Sequence, residues 1–112
     1  MARSRGVRAL TASAPLFGAL GDPTRLGLVV RLCEQGPLSI SRLTAGTDVT
    51  RQAITRHLRV LAKAGVVQGM RDGRASVWEL QPRRLEEAQR YLAQISRQWD
   101  EAIVRLRAFV ER

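Results

Sequence analysis

The sequence predicts a mainly α-helical domain that carries one small β-hairpin. Apolar residues recur at helical spacing through most of the 112 residues; one short stretch alternates instead around an Asp-Gly pair; and a heptad-spaced seam runs through the final segment. A chain of this length holds one domain, with no room for a catalytic domain beside a regulatory one.

The elements follow in order. Residues 1–12 carry Arg3, Arg5 and Arg8 without an acid and are expected to form a flexible basic arm or a frayed helix start, leaving 13–112 as the folded unit. A first helix spans Ala14 to Leu20, with Ser13 as N-cap, Leu16, Phe17 and Leu20 as its apolar face, and Gly21 as its end. Asp22-Pro23 opens a second, because Asp accepts from orphan N–H groups and Pro is preset for the first helical position. Leu26, Val29, Val30 and Cys33 then fall at i, i+3, i+4 and i+7, which predicts one buried stripe before Gly36-Pro37 stops the helix.

Ser39 caps a short third helix containing Ile40 and Leu43, which fades at Ala45-Gly46. A fourth runs from after Thr50 to about Ala64, with Ala53, Ile54, Leu58 and Leu61 inward and Gly65 just past its end. Two helices joined by a short Gly-containing turn make a helix-turn-helix. Val66–Met70 and Ala75–Leu80 flank Arg71-Asp72-Gly73-Arg74, where Asp-Gly signals a type I′ turn, so a hairpin wing follows. From Pro82 onward, Leu85, Ala88, Leu92, Ile95, Trp99, Ala102, Leu106 and Phe109 are spaced alternately three and four apart. The expected order is α-α-α-α-β-β-α: a winged helix-turn-helix with a long C-terminal dimerisation helix.

Charge narrows the partners. Nineteen Lys plus Arg against ten Asp plus Glu give a net charge of +9, suited to a polyanion such as nucleic acid or an anionic membrane surface. No apolar run approaches the roughly 20 residues of a membrane span, and the basic N-terminus leads into no signal-like apolar segment. A cytoplasmic location is expected. The acids Glu86, Glu87, Asp100 and Glu101 argue against the last helix lying on a membrane.

The outer face of the fourth helix carries the sharpest functional signal. Gln52, Thr55, Arg56, Arg59 and Lys63 share one stripe opposite Ile54, Leu58 and Leu61, with Thr50 and Arg51 at the helix start, and no acid occurs from Val49 through Met70. A DNA duplex needs this set: Arg and Lys for phosphates, Arg for guanine edges, Gln for adenine, Thr for phosphate oxygen or a thymine methyl. Arg71 and Arg74 flank the wing turn and are expected on the DNA backbone. Leu85, Leu92, Ile95, Trp99, Leu106 and Phe109 form a seam too long to bury on one short N-terminal helix, which predicts a homodimer. His57 reads as a structural histidine, and the single Cys33 as a small buried hydrophobe; one cysteine excludes an intrachain disulfide. No nucleophile, phosphate loop or metal-ligand cluster is present, so no catalytic residue, metal or cofactor is expected. The alternatives are a sequence-tolerant architectural DNA-binding protein, and a thiol-based redox sensor using Cys33.

The run Leu16-Phe17-Gly18-Ala19-Leu20-Gly21-Asp22-Pro23-Thr24-Arg25-Leu26 resembles the opening of ArsR/SmtB-type winged-helix repressors, and Val49 to Leu61 resembles their recognition helix. Ala64-Gly65-Val66-Val67 and Asp72-Gly73-Arg74 are similar to its exit and wing. The resemblance implies a homodimeric repressor that binds double-stranded DNA and leaves its operator when a signal arrives. The family's common metal sites are missing: Ser39 to Ala45 contains no thiol, and the last helix has neither His nor Cys. The ending Trp99 to Leu106 is similar to that of a subgroup without metal ligands, for which the resemblance implies no particular effector; the alternatives are an unidentified small-molecule effector and no effector at all.

Overall fold

The computed structural model describes residues 8, 11–73 and 75–111. Its elements are α1 (Ala14–Leu20), α2 (Pro23–Gln35), β1 (Leu38–Ser39), α3 (Ile40–Thr44), α4 (Arg51–Lys63), β2 (Val67–Asp72), β3 (Ala75–Leu80) and α5 (Pro82–Val110). This is the winged helix-turn-helix that the sequence predicts, with β1 added. Leu38 and Ser39 pair antiparallel with Trp78 and Val77, so the wing is a three-stranded sheet ordered β1-β3-β2. A two-residue strand has no alternation of its own to announce it.

Local capping sets the helix starts. Asp22 is extended (φ −116°, ψ 133°) and its carboxylate accepts from the Arg25 N–H at 3.0 Å, while Pro23 occupies the first helical position. Ser39 and Thr50 cap α3 and α4 in the same way, accepting from Arg42 at 3.2 Å and Ala53 at 3.1 Å. Ser13 precedes α1 but has helical backbone, because residues 11 and 12 are already helical. Most of the expected basic arm lies outside the described residues; Arg8 is helical and exposed.

Leu16, Leu28, Leu32, Leu43, Ile54, Leu58, Leu61 and Val66 meet in one core. The stripe expected on α2 is corrected here. Leu28, Val29 and Leu32 face inward, whereas Leu26 (48% exposed), Val30 (45%) and Cys33 face out. Six apolar residues between Leu26 and Cys33 cover most of the helix circumference, so periodicity alone cannot choose its rotation. The wing turn also shifts. Asp72 pairs with Ala75, so Asp72 belongs to the ladder and Gly73 (φ 64°) follows it in the turn, rather than Asp72 and Gly73 together forming the turn's centre. Arg74 lies outside the described residues.

The final helix is divided. Ala88 is buried and Leu85 packs against the chain's own core, while Ile95 and Ala102 are half-covered. Leu92 (54% exposed), Trp99 (69%), Leu106 (63%) and Phe109 (71%) stand in the open. With 29 residues α5 is about 43 Å long, and it draws the molecule out to 65 × 30 × 21 Å.

Candidate nucleic-acid interface

The helix-turn-helix is α3 and α4 with the segment 45–50 between them. Gly46 takes φ 78°, a conformation that side chains avoid, and the Thr47 hydroxyl donates to the Thr44 carbonyl at 2.8 Å, which closes the turn. Ile54, Leu58 and Leu61 are fully buried, and their burial fixes the rotation of α4. The opposite side therefore points to solvent: Arg51, Gln52, Arg56, Arg59 and Lys63 are exposed and Thr55 is half-buried.

Arg51, Gln52, Thr55, Arg56 and Arg59 line one open hollow of about 520 Å³. Lys63 sits at the far end, in a shallow groove against Pro15 and Gly18 of the α1 region. None of these cations is held in a salt bridge; among the described residues Arg84 pairs with Glu87, and Asp22 would pair with His57 only were the imidazole protonated. The predicted stripe is thus assembled and electrostatically unspent. Its two hydroxyls differ, however. Thr50 accepts from Ala53 and keeps its own hydrogen for an outside acceptor, whereas Thr55 donates to the Arg51 carbonyl at 2.9 Å and presents its methyl. On the wing, exposed Arg71 pairs across the ladder with Ser76, beside a hollow that also includes Gly69 and Trp78.

Two braces that the sequence did not announce hold α4, one at its middle and one at its C-terminal end. At the middle, Arg25 donates from Nε to the Ala19 carbonyl at 2.6 Å and meets His57 Nδ1 at 3.3 Å through Nη1. A guanidinium can only donate, so Nδ1 accepts and the ring hydrogen belongs on Nε2. Asp22 stands 3.9 Å from the same nitrogen. The Arg25 N–H bonded to the Asp22 carboxylate holds that group below its usual range; the Arg25 charge acts in the same sense, and desolvation opposes them. At the C-terminal end, Arg84 of α5 donates to the Ala64 carbonyl at 3.0 Å and pairs with Glu87 at 2.6 Å. His57 is structural, as expected, but its partner lies 32 residues away, beyond the reach of any local pattern.

A family model described as a helix-turn-helix domain matches residues 20–69. The solved structure of an ArsR-like transcriptional regulator from Rhodococcus sp. RHA1 matches with a TM-score of 0.71 at 31% identity, covering 93% of this chain and 95% of that one. The chain belongs to the ArsR family of helix-turn-helix transcriptional regulators. An uncharacterized HTH-type transcriptional regulator of Methanocaldococcus jannaschii is 31% identical over 75 residues, 67% of this chain and 84% of that protein. The arsenical resistance operon repressor of Escherichia coli is 36% identical over 67 residues, 60% of this chain and 57% of the repressor. Members of this ArsR family are DNA-binding regulators, not enzymes.

Among the described residues no group of three or more His, Cys, Asp or Glu could hold a metal ion, and no helix is long and apolar enough to cross a membrane. Cys33, expected inside, is exposed on α2, because the helix turns Leu28 and Leu32 to the core instead.

Proposed function

We propose that the protein is a homodimeric, sequence-specific repressor that binds a pseudo-palindromic operator in double-stranded DNA and blocks transcription by occupying the promoter. The observation that carries this reading is the unspent cationic face of α4, rigidly aimed by a fully buried opposite side. Gln52 and Arg56 read base edges, Arg51, Arg59 and Lys63 neutralise phosphates, Thr50 donates to a phosphate, and Thr55 offers its methyl to thymine. Arg71 and Arg74 track the backbone from the wing. The open seam of Leu92, Trp99, Leu106 and Phe109, with half-covered Ile95, pairs with a second copy, which sets two recognition helices on neighbouring half-sites. Leu85, already packed on its own core, contributes only at the margin. The regulator works in the cytoplasm, where an effector releases it from DNA.

Selection of bound sequences from random duplexes tests the reading. A repressor enriches a two-fold symmetric motif and prefers it by roughly a thousandfold or more over random DNA at physiological salt. Uniform binding to all sequences would instead mark an architectural coat.

A further inference from the structure

Between α2 and the turn into α4 lies a cavity of about 360 Å³ whose lining shares no residue with the cationic hollow of α4. Its walls include Gly27, Leu28 and Arg31 from α2, Thr47 and Val49 from the turn, and Ile54 from α4. Leu28 and Ile54 are buried, so the floor is apolar. Gly27 leaves the space open: a Cβ built there meets nothing within 4 Å, although glycine in mid-helix is disfavoured and packing does not require it. The size and the largely apolar lining with a few polar groups suit a small organic molecule.

Arg31 is the only charged residue of the wall. It donates from Nη1 to the Leu43 carbonyl and from Nη2 to the Arg42 carbonyl, each at 2.8 Å, which anchors the guanidinium without neutralising it. No carboxylate pairs with it among the described residues. A guanidinium carries five N–H donors, so donors remain for an incoming anion. An apolar slot with one anchored, uncompensated cation selects an apolar body that bears one negative group.

We propose that this cavity binds a small apolar monocarboxylate, its body over Leu28, Val49 and Ile54 and its carboxylate on Arg31. The location makes the ligand an effector. Val49 directly precedes Thr50, the N-cap of α4, so occupancy that displaces Val49 re-aims Gln52 and Arg56 together. This last step rests on the operator-binding reading above; binding in the slot does not.

The test is a titration of the full chain, free of DNA, followed by the backbone amide resonances of Gly27, Thr47 and Val49. Phenylacetate, indole-3-acetate and octanoate are the probes, and phenylacetamide is the uncharged control. At least one acid is expected to shift these amides saturably in the millimolar range or below, with the amide at least about tenfold weaker than phenylacetate, the loss of one charge-assisted contact. Gly27→Leu fills the slot and should abolish binding; Gly27→Ala should weaken it if the leucine variant fails to fold. Arg31→Gln should bring phenylacetate and phenylacetamide to equal affinity. Silence from all three acids, equal binding of acid and amide to the wild type, or an unchanged titration in Gly27→Ala and a folded Gly27→Leu would overturn the proposal. Operator affinity of the ligand-free protein is measured separately, so loss of the DNA reading and loss of the ligand site are distinguishable.

Discussion

The two amphipathic helices α4 and α5 are alike in sequence and opposite in fate. On α4 the apolar stripe of Ile54, Leu58 and Leu61 is fully covered by the chain's own core, and the polar side is left free for work. On α5 the stripe begins in the core at Leu85 and Ala88 and then runs out of protein, leaving Trp99, Leu106 and Phe109 open. Amphipathic spacing thus states that a face must be covered, and not by what. The covered helix has a fixed rotation and presents its polar side to solvent; the uncovered one presents its apolar side instead.

The sharpest way to break this contrast is to put a charge on each stripe. Leu58→Asp buries an unpaired carboxylate in the core and should leave no cooperative thermal transition by circular dichroism, while the milder Leu58→Ala should lose about 2–5 kcal/mol. Trp99→Asp or Leu106→Asp should instead retain the helix-turn-helix and wing, shift the protein from dimer to monomer in sedimentation, and weaken operator binding by about a hundredfold or more through lost avidity. A wild type that sediments as a monomer at micromolar concentration would show that the open stripe of α5 serves some other purpose.

Smaller changes sharpen the reading of α4. Gln52→Ala and Arg56→Ala should each lose about 1–3 kcal/mol on the selected operator and relax its sequence preference, as bidentate base contacts do. Equal weakening on random duplexes would reassign both side chains to phosphates. Arg71→Ala, on the wing, should weaken binding to every sequence alike and reduce the salt slope by about one. An unchanged slope would remove it from the DNA backbone.

The smallest expected effect is an acid-dependent one. Asp22 has its folded pKa below its ordinary value, chiefly because the Arg25 N–H bonds to the carboxylate. Its contribution to stability is therefore present above the unfolded carboxylate range and disappears as pH falls through the lower, folded value. Asp22→Asn, which keeps a capping oxygen but no charge, should flatten the acid limb of a melting-temperature profile and leave the neutral region nearly unchanged. A parallel shift of the entire profile would mean that the cap, and not the charge, is what matters.

Short-range physics made several features legible from residue order alone. The caps at Asp22, Ser39 and Thr50 each act over three residues, the buried face of α4 repeats within two turns, and Gly46, Gly65 and Gly73 mark positive φ at places where the chain must turn. The cationic stripe from Arg51 to Lys63 follows from that same rotation, so the candidate interface is legible in residue order. Other features join residues that no local pattern connects. Leu38 finds Trp78 across the sheet, Arg25 meets His57, and Arg84 reaches back to Ala64. The rotation of α2 belongs with these, since its nearly continuous apolar surface satisfies several rotations equally and only contact with α1, α4 and the sheet selects Leu28 and Leu32 over Leu26 and Cys33. The turn of the wing moved by one residue for a similar reason: the ladder from Val67–Leu80 to Asp72–Ala75 sets its register as a whole and overrides the preference of a single Asp-Gly pair. Interactions within a few residues were thus determined by the sequence itself, whereas helix rotation, strand register and the braces on α4 were decided by which distant surfaces could be buried together.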